Sequence, residues 1–149
     1  MNAKNKKGLV DPRYAKGSAY HGTLKEIAKA KVCPFCPKTF SWHTKPILRR
    51  TKNWLITENF NPYANTKHHF IIVGKKHREK IEQLRDADLK EIFSLVRWAI
   101  RKYKIAGGGL AMRFGDTAHT GATVLHLHAH LIVSKMKNGK AIPVYFPFG

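Results

Sequence analysis

Three histidines at period two, His126, His128 and His130, stand with apolar residues in every gap of the run His126-Leu127-His128-Ala129-His130-Leu131-Ile132. In an extended strand that spacing puts the three imidazoles on one face and Leu127, Ala129 and Leu131 on the other. Same-face neighbours would stand roughly 7 Å apart, near enough to serve one substrate in different roles. Imidazole exchanges protons, ligates metals and attacks phosphorus near neutral pH, so the run predicts a concentrated chemical site. The full alternation is more specific than a lone H-x-H, and it points to catalysis rather than to a solvated strand.

Cys33-Pro34-Phe35-Cys36 offers a second site. A single C-x-x-C is either half of a zinc site or a redox pair, and the redox form sits at the start of a helix after a strand. Pro37 and the polar residues beyond it suggest a turn instead, and zinc would need two further ligands, which the histidines could supply.

Further along, Trp54-Leu55-Ile56-Thr57 reads as a strand, followed by the polar turn Glu58 to Asn65. A second strand, His69-Phe70-Ile71-Ile72-Val73, ends in the basic turn Gly74-Lys75-Lys76-His77. This order resembles the histidine-triad (HIT) superfamily of nucleotide hydrolases and nucleotidyl transferases: a nucleoside-binding turn, a histidine, a strand, a basic turn closing on a histidine, then the triad. The triad matches the superfamily signature at every position, and the likeness runs from Cys33 to about Val133.

The resemblance implies roles. His128 is expected as the nucleophile that attacks the α-phosphorus of a nucleotide, with the His126 carbonyl holding its other ring nitrogen. His130 and His69 are expected on the α-phosphate, with the main chain around Gly121 and the Thr123 hydroxyl on non-bridging oxygens. Asn61 matches the position that contacts the ribose, and the base would lie in a slot between the strand around Leu55 and the turn around Phe60. The upstream cysteines resemble a zinc-bearing branch of the superfamily, which implies Cys33, Cys36, His77 and His126 as ligands of a closed, structural zinc. His126 is thus expected in both the catalytic and the metal set. Three positions depart from the pattern: Ala122 for a common glutamine, Gly115 for an asparagine and Gly74 for a proline. The lost amides would remove hydrogen bonds near the α-phosphate.

The elements that must position these residues are legible in outline. Thr23 to Lys31 reads as a short helix, and a long helix is predicted from an N-cap at Asp86 to about Tyr103. Its apolar stripe is expected at Leu89, Ile92, Phe93, Val96, Ile100 and Tyr103. Gly107-Gly108-Gly109 should end it and lead into the strand Leu110 to Phe114. Asn138-Gly139 marks a hairpin between Ile132-Val133 and the stretch from Lys140 to Phe146. Together these predict an α+β fold with a mostly antiparallel sheet of about five strands and helices packed on one face.

Residues 1–20, rich in Lys, Gly and Tyr, are read as a basic mobile arm, and 21–149 as the one domain. At 149 residues with 43% apolar content the chain is large enough for a core without disulfide staples, which excludes a disordered chain. With 28 Lys and Arg against nine Asp and Glu, the formal net charge of +19 favours phosphate-bearing partners, nucleic acid among them. No signal-peptide pattern, membrane span or disulfide framework is visible, so a cytoplasmic location is expected. The superfamily's habit of pairing makes a homodimer a further expectation. Hydrolysis, transfer to another acceptor, and simple binding of nucleotide or nucleic acid all remain open at this point.

Overall fold

The computed structural model describes residues 8–149. A five-stranded sheet in the order β1-β2-β3-β5-β4 forms the frame, with every neighbouring pair antiparallel. Its strands are β1 (Ile47–Arg50), β2 (Trp54–Glu58), β3 (Thr66–Gly74), β4 (Gly109–Met112) and β5 (His128–Ser134). The longest pairing joins β3 to β5 in register from His68↔Val133 to Val73↔His128. The chain therefore folds as the expected α+β architecture. The unforeseen strand is β1, whose exposed Arg49 and Arg50 disguise an edge position.

The alternation along β3 and β5 divides the molecule. Phe70, Ile72, Ala129 and Leu131 pack with Trp54 and Ile56 against α2 (Asp86–Tyr103) through Ile92, Leu95, Val96 and Ala99. The other face carries His69, Ile71, His128 and His130. That face is also apolar at Leu55, Ile71 and Val73, and so needs cover. Cover comes from the cysteine turn and from α1 (Ser18–Ala30), so the helices occupy both faces rather than one.

The rotation of α2 differs from the expected stripe. Ile92 and Val96 are buried as expected, with Leu95 and Ala99 beside them, while Leu89, Phe93 and Ile100 are exposed. A polar lock sets this angle. The fully buried Asp88 accepts from Trp54 Nε1 at 2.9 Å and from both terminal nitrogens of Arg78 at 2.9 and 2.8 Å. It also accepts from the Arg85 amide, which makes Arg85 the N-cap instead of Asp86.

Helix α1 starts five residues before the expected Thr23, and residues 9–20 join the packed structure. Val10 pairs with Val124 and is buried with Leu24 and Ile27. Asp11 bonds the Thr117 hydroxyl at 2.8 Å. Residues 1–7 of the expected arm lie outside the described residues. Past α2, Lys104 takes the left-handed conformation at φ 50°, so the helix ends before the glycines. Gly108 serves a different need: a Cβ there would lie 2.7 Å from the Ile132 carbonyl oxygen. The Asn138-Gly139 turn forms with φ of 52° and 74°, as a two-residue hairpin turn requires. Its strands, β6 (Met136–Lys137) and β7 (Lys140–Ala141), are a separate two-stranded ribbon.

Candidate functional site

Regular pairing in β5 begins at His128, so His126 lies just outside the strand. His128 and His130 share the face of the sheet opposite α2 with ring centroids 4.9 Å apart, and all three triad side chains are buried. His126 turns towards the cysteines, where its Nδ1 lies 3.3 Å from Cys33 Sγ and 3.8 Å from Cys36 Sγ. His77 Nδ1 stands 3.6 Å from Cys36 Sγ. The four donor atoms all fall within 4.8 Å of one another.

That cluster fits a tetrahedral metal. Zinc bonds of about 2.3 Å to sulfur and 2.0–2.1 Å to nitrogen imply a sulfur–nitrogen edge of roughly 3.6 Å, which the observed separations bracket. Both histidines turn Nδ1 inward and use Nε2 elsewhere. His126 Nε2 donates to the Gly74 carbonyl at 2.5 Å, and His77 Nε2 lies 3.1 Å from Glu79 Oε1. Such outer partners fix the tautomer that leaves Nδ1 free to ligate.

His128 Nδ1 donates to the His126 carbonyl at 2.7 Å, which leaves Nε2 as the unprotonated nitrogen. Burial pushes His128 down to about 4, with the charge of Arg113 acting in the same direction, so the ring is neutral near pH 7. His128 lines a cleft holding about 500 Å³ of open space.

His69 and His130 form a relay of tautomers. The Tyr63 amide can only donate, and it approaches His69 Nδ1 at 3.1 Å, so that nitrogen accepts. His69 Nε2 then carries the proton and donates to His130 Nδ1 at 2.9 Å. The Asn59 amide nitrogen lies 3.4 and 3.0 Å from the two nitrogens of His69, facing the ring rather than a lone pair. By elimination His130 Nε2 bears its proton, and that atom is buried without a partner. A donor left unsatisfied beside the cleft is free to meet an acceptor that enters it. Burial drives His69 down to about 4 and holds His130 well below its usual range, so both rings stay neutral.

The remaining expected residues divide. Asn61, Gly121 and Thr123 all line the cleft. The Gly121 amide, however, is spent on the Thr117 carbonyl at 2.8 Å, and the Ala122 amide on the Thr120 hydroxyl at 3.2 Å. The positive φ of 63° at Gly121 belongs to the cap of α3 (Thr117–Thr120), and a Cβ there would meet the Gly149 main chain at 2.6 Å. Thr123 Oγ1 pairs with Tyr20 OH at 2.9 Å. An adjoining hollow is lined by Phe60 as expected, but Ile71 and Tyr20 take the place foreseen for Leu55, which is buried behind them. His43 bonds Thr57 and lines that same hollow, away from the metal cluster, while His119 is exposed on α3 and His68 stacks on Phe70 on the opposite face of the sheet, so neither of the latter two joins the site.

Sequence reading passed over Arg113, Tyr63, Tyr20 and Lys16, which also line the cleft. A lone arginine in the otherwise apolar run Leu110 to Phe114 was the available signal.

Comparison with known proteins places the chain in a family. The HIT domain model matches residues 44–137, more than half of the chain, and the chain belongs to the HIT domain family. Cys33 and Cys36 precede the matched region. None of the curated proteins compared with it is a significant match. Among solved structures, it resembles a histidine triad nucleotide-binding protein from Candida albicans at 23% identity and TM-score 0.60, over 79% of this chain and 85% of that one. A zinc-bound histidine triad family protein from Mycobacterium smegmatis is 19% identical at TM-score 0.56, over 77% and 83%. The Plasmodium falciparum diadenosine triphosphate hydrolase is 20% identical at TM-score 0.51, over 64% and 65%. No helix among the described residues is long and apolar enough to cross a membrane.

Proposed function

We propose that the protein is a nucleotide hydrolase acting on a nucleoside phosphoramidate or a dinucleoside polyphosphate through a covalent nucleotidyl-His128. The observation that carries this reading is the bond from His128 Nδ1 to the His126 carbonyl, which leaves Nε2 facing the cleft as a neutral nucleophile. Nε2 attacks the α-phosphorus, an N–P bond forms, and the bond to the leaving group breaks with its electron pair departing on that group. Water then attacks the same phosphorus: a P–O bond forms, the N–P bond breaks with its electron pair returning to Nε2, the water's proton passes to solvent, and the neutral imidazole is restored. His130 Nε2 donates to a non-bridging oxygen, and His69 holds His130 in the tautomer that can do so. Thr123 and the corner at Gly121 shape the phosphate end, and Asn61 faces the ribose.

Cys33, Cys36, His77 and His126 would hold a zinc ion, which supplies rigid tetrahedral coordination and no open position for water. The zinc-bound Mycobacterium smegmatis relative supports this assignment. His126 would then join two sites: its ring ligates while its carbonyl orients the nucleophile.

The same intermediate would serve a nucleotidyl transferase or phosphorylase, with phosphate or another acceptor replacing water. A role in binding nucleic acid draws only on the +19 charge. The exposed stripe Leu89, Phe93 and Ile100 supports a homodimer, and the unpaired thiols of Cys33 and Cys36 support a cytoplasmic location. Incubation with α-phosphate-labelled nucleotides is expected to give acid-labile, protein-bound label in the wild type. His128→Ala should abolish it with the fold retained, and equal labelling of that variant would overturn the reading.

A further inference from the structure

One cation in the cleft lacks an obvious duty. The pairs Ala111↔His130 and Met112↔Ala129 align β4 with β5, and the register carried one residue further sets Arg113 opposite His128 on the same face. Its Nη1 donates to the carbonyls of Pro147 at 2.8 Å and Gly121 at 3.3 Å, and Nη2 lies 3.4 Å from Tyr63 OH. Its Nε is buried with no partner among the described residues. These acceptors are all neutral, and the Phe146 ring covers the guanidinium at 5.2 Å. A half-buried cation, bonded only to neutral oxygens and with its Nε shut away from water, is costly until an anion reaches it. Ala122 and Gly115 nearby offer no side-chain donor that could take its place. Lys16 lines the same cleft.

We propose that Arg113 is the specificity-determining residue that binds the phosphate beyond the reacting one, so the substrate of this site carries a polyphosphate rather than an amine as its leaving group. The inference rests on the nucleotidyl-His128 reading. A single reacting phosphate needs a donor beside the nucleophile, and His130 Nε2 supplies it. A cation on the wall, with a further lysine, answers to further phosphates. When the P–O bond breaks, its electron pair stays on the bridging oxygen, and the guanidinium stabilises the growing negative charge with no proton transferred. An amine leaving group asks for a proton instead, which an arginine cannot give.

The test compares the wild type with Arg113→Met and Arg113→Lys on a diadenosine polyphosphate and on an adenosine phosphoramidate. Arg113→Met is expected to lower kcat/KM for the polyphosphate at least about 100-fold and for the phosphoramidate less than about tenfold. Arg113→Lys, which keeps the charge and loses the fork, should fall between. Equal losses on both substrates would overturn the proposal in favour of a purely structural role. Binding of inorganic tripolyphosphate to His128→Ala provides an arm independent of turnover. Adding Arg113→Met should weaken it at least tenfold, and unchanged binding would likewise overturn the proposal. If no nucleotide labels His128, the hydrolase reading fails while the tripolyphosphate arm still decides whether Arg113 forms an anion site. Should Arg113→Met fail to fold, Arg113→Gln, which can still donate to the two carbonyls, carries both measurements.

Discussion

At His69 the chemistry of one ring depends on a main-chain amide six residues away. The Tyr63 N–H fixes the His69 tautomer, and His69 fixes that of His130. His69→Leu, which keeps bulk and removes both bonds, is expected to lower kcat by roughly 10- to 100-fold with KM little changed, measured by steady-state turnover. The same ring has a signature in stability. Burial sets its folded pKa at about 4 against an ordinary 6.5, so the unfolded chain binds more protons between those values. Its contribution is complete above about pH 6.5 and is lost as the pH falls towards 4. Urea midpoints should therefore fall less steeply with acid in His69→Leu than in the wild type, and parallel slopes would contradict the assignment. The triad and the four-residue metal set were legible because their spacing is local or matches a known pattern. Arg113 and Tyr63 were not, because their meaning comes from cross-strand register and from a turn folding back on a ring.

Among the elements, the buried ion pair Arg78–Asp88 ties the basic turn carrying His77 to the first turn of α2. Arg78 also accepts from the Leu127 amide through its carbonyl at 2.7 Å, beside the triad. Arg78→Met leaves a buried carboxylate without its cation and is expected to cost about 3–5 kcal/mol in urea unfolding. The bond network holds the Asp88 carboxyl well below the usual carboxylate range, so this pair persists into acid. Gly108→Ala brings a methyl group against the Ile132 carbonyl and should cost roughly 1–3 kcal/mol by the same assay. Periodicity disclosed α2, β2, β3 and β5. It misplaced the buried face of α2, since two apolar stripes run along that helix and a polar lock, invisible to a hydrophobic pattern, selects between them.

For the whole molecule, the proposed zinc joins parts far apart in sequence: the cysteine turn, the end of the basic turn and the start of the triad. Purified protein is expected to hold one zinc per chain by elemental analysis. Chelation, or Cys36→Ser, should lower both the urea midpoint and the yield of labelled His128, even though Cys36 does not line the cleft. Phe93 is 51% exposed on α2, and Phe93→Glu should convert a dimer to a monomer in sedimentation velocity. A dimer that persists would place the interface elsewhere. Long-range closure of this kind leaves little trace in local patterns, which is why residues 9–20 read as a tail while in fact bracing the loop before the triad.

Because the His126 ring and carbonyl face different neighbours, a thiol reagent that captures the half-buried Cys36 should, if the proposed reading holds, disarm His128 from behind.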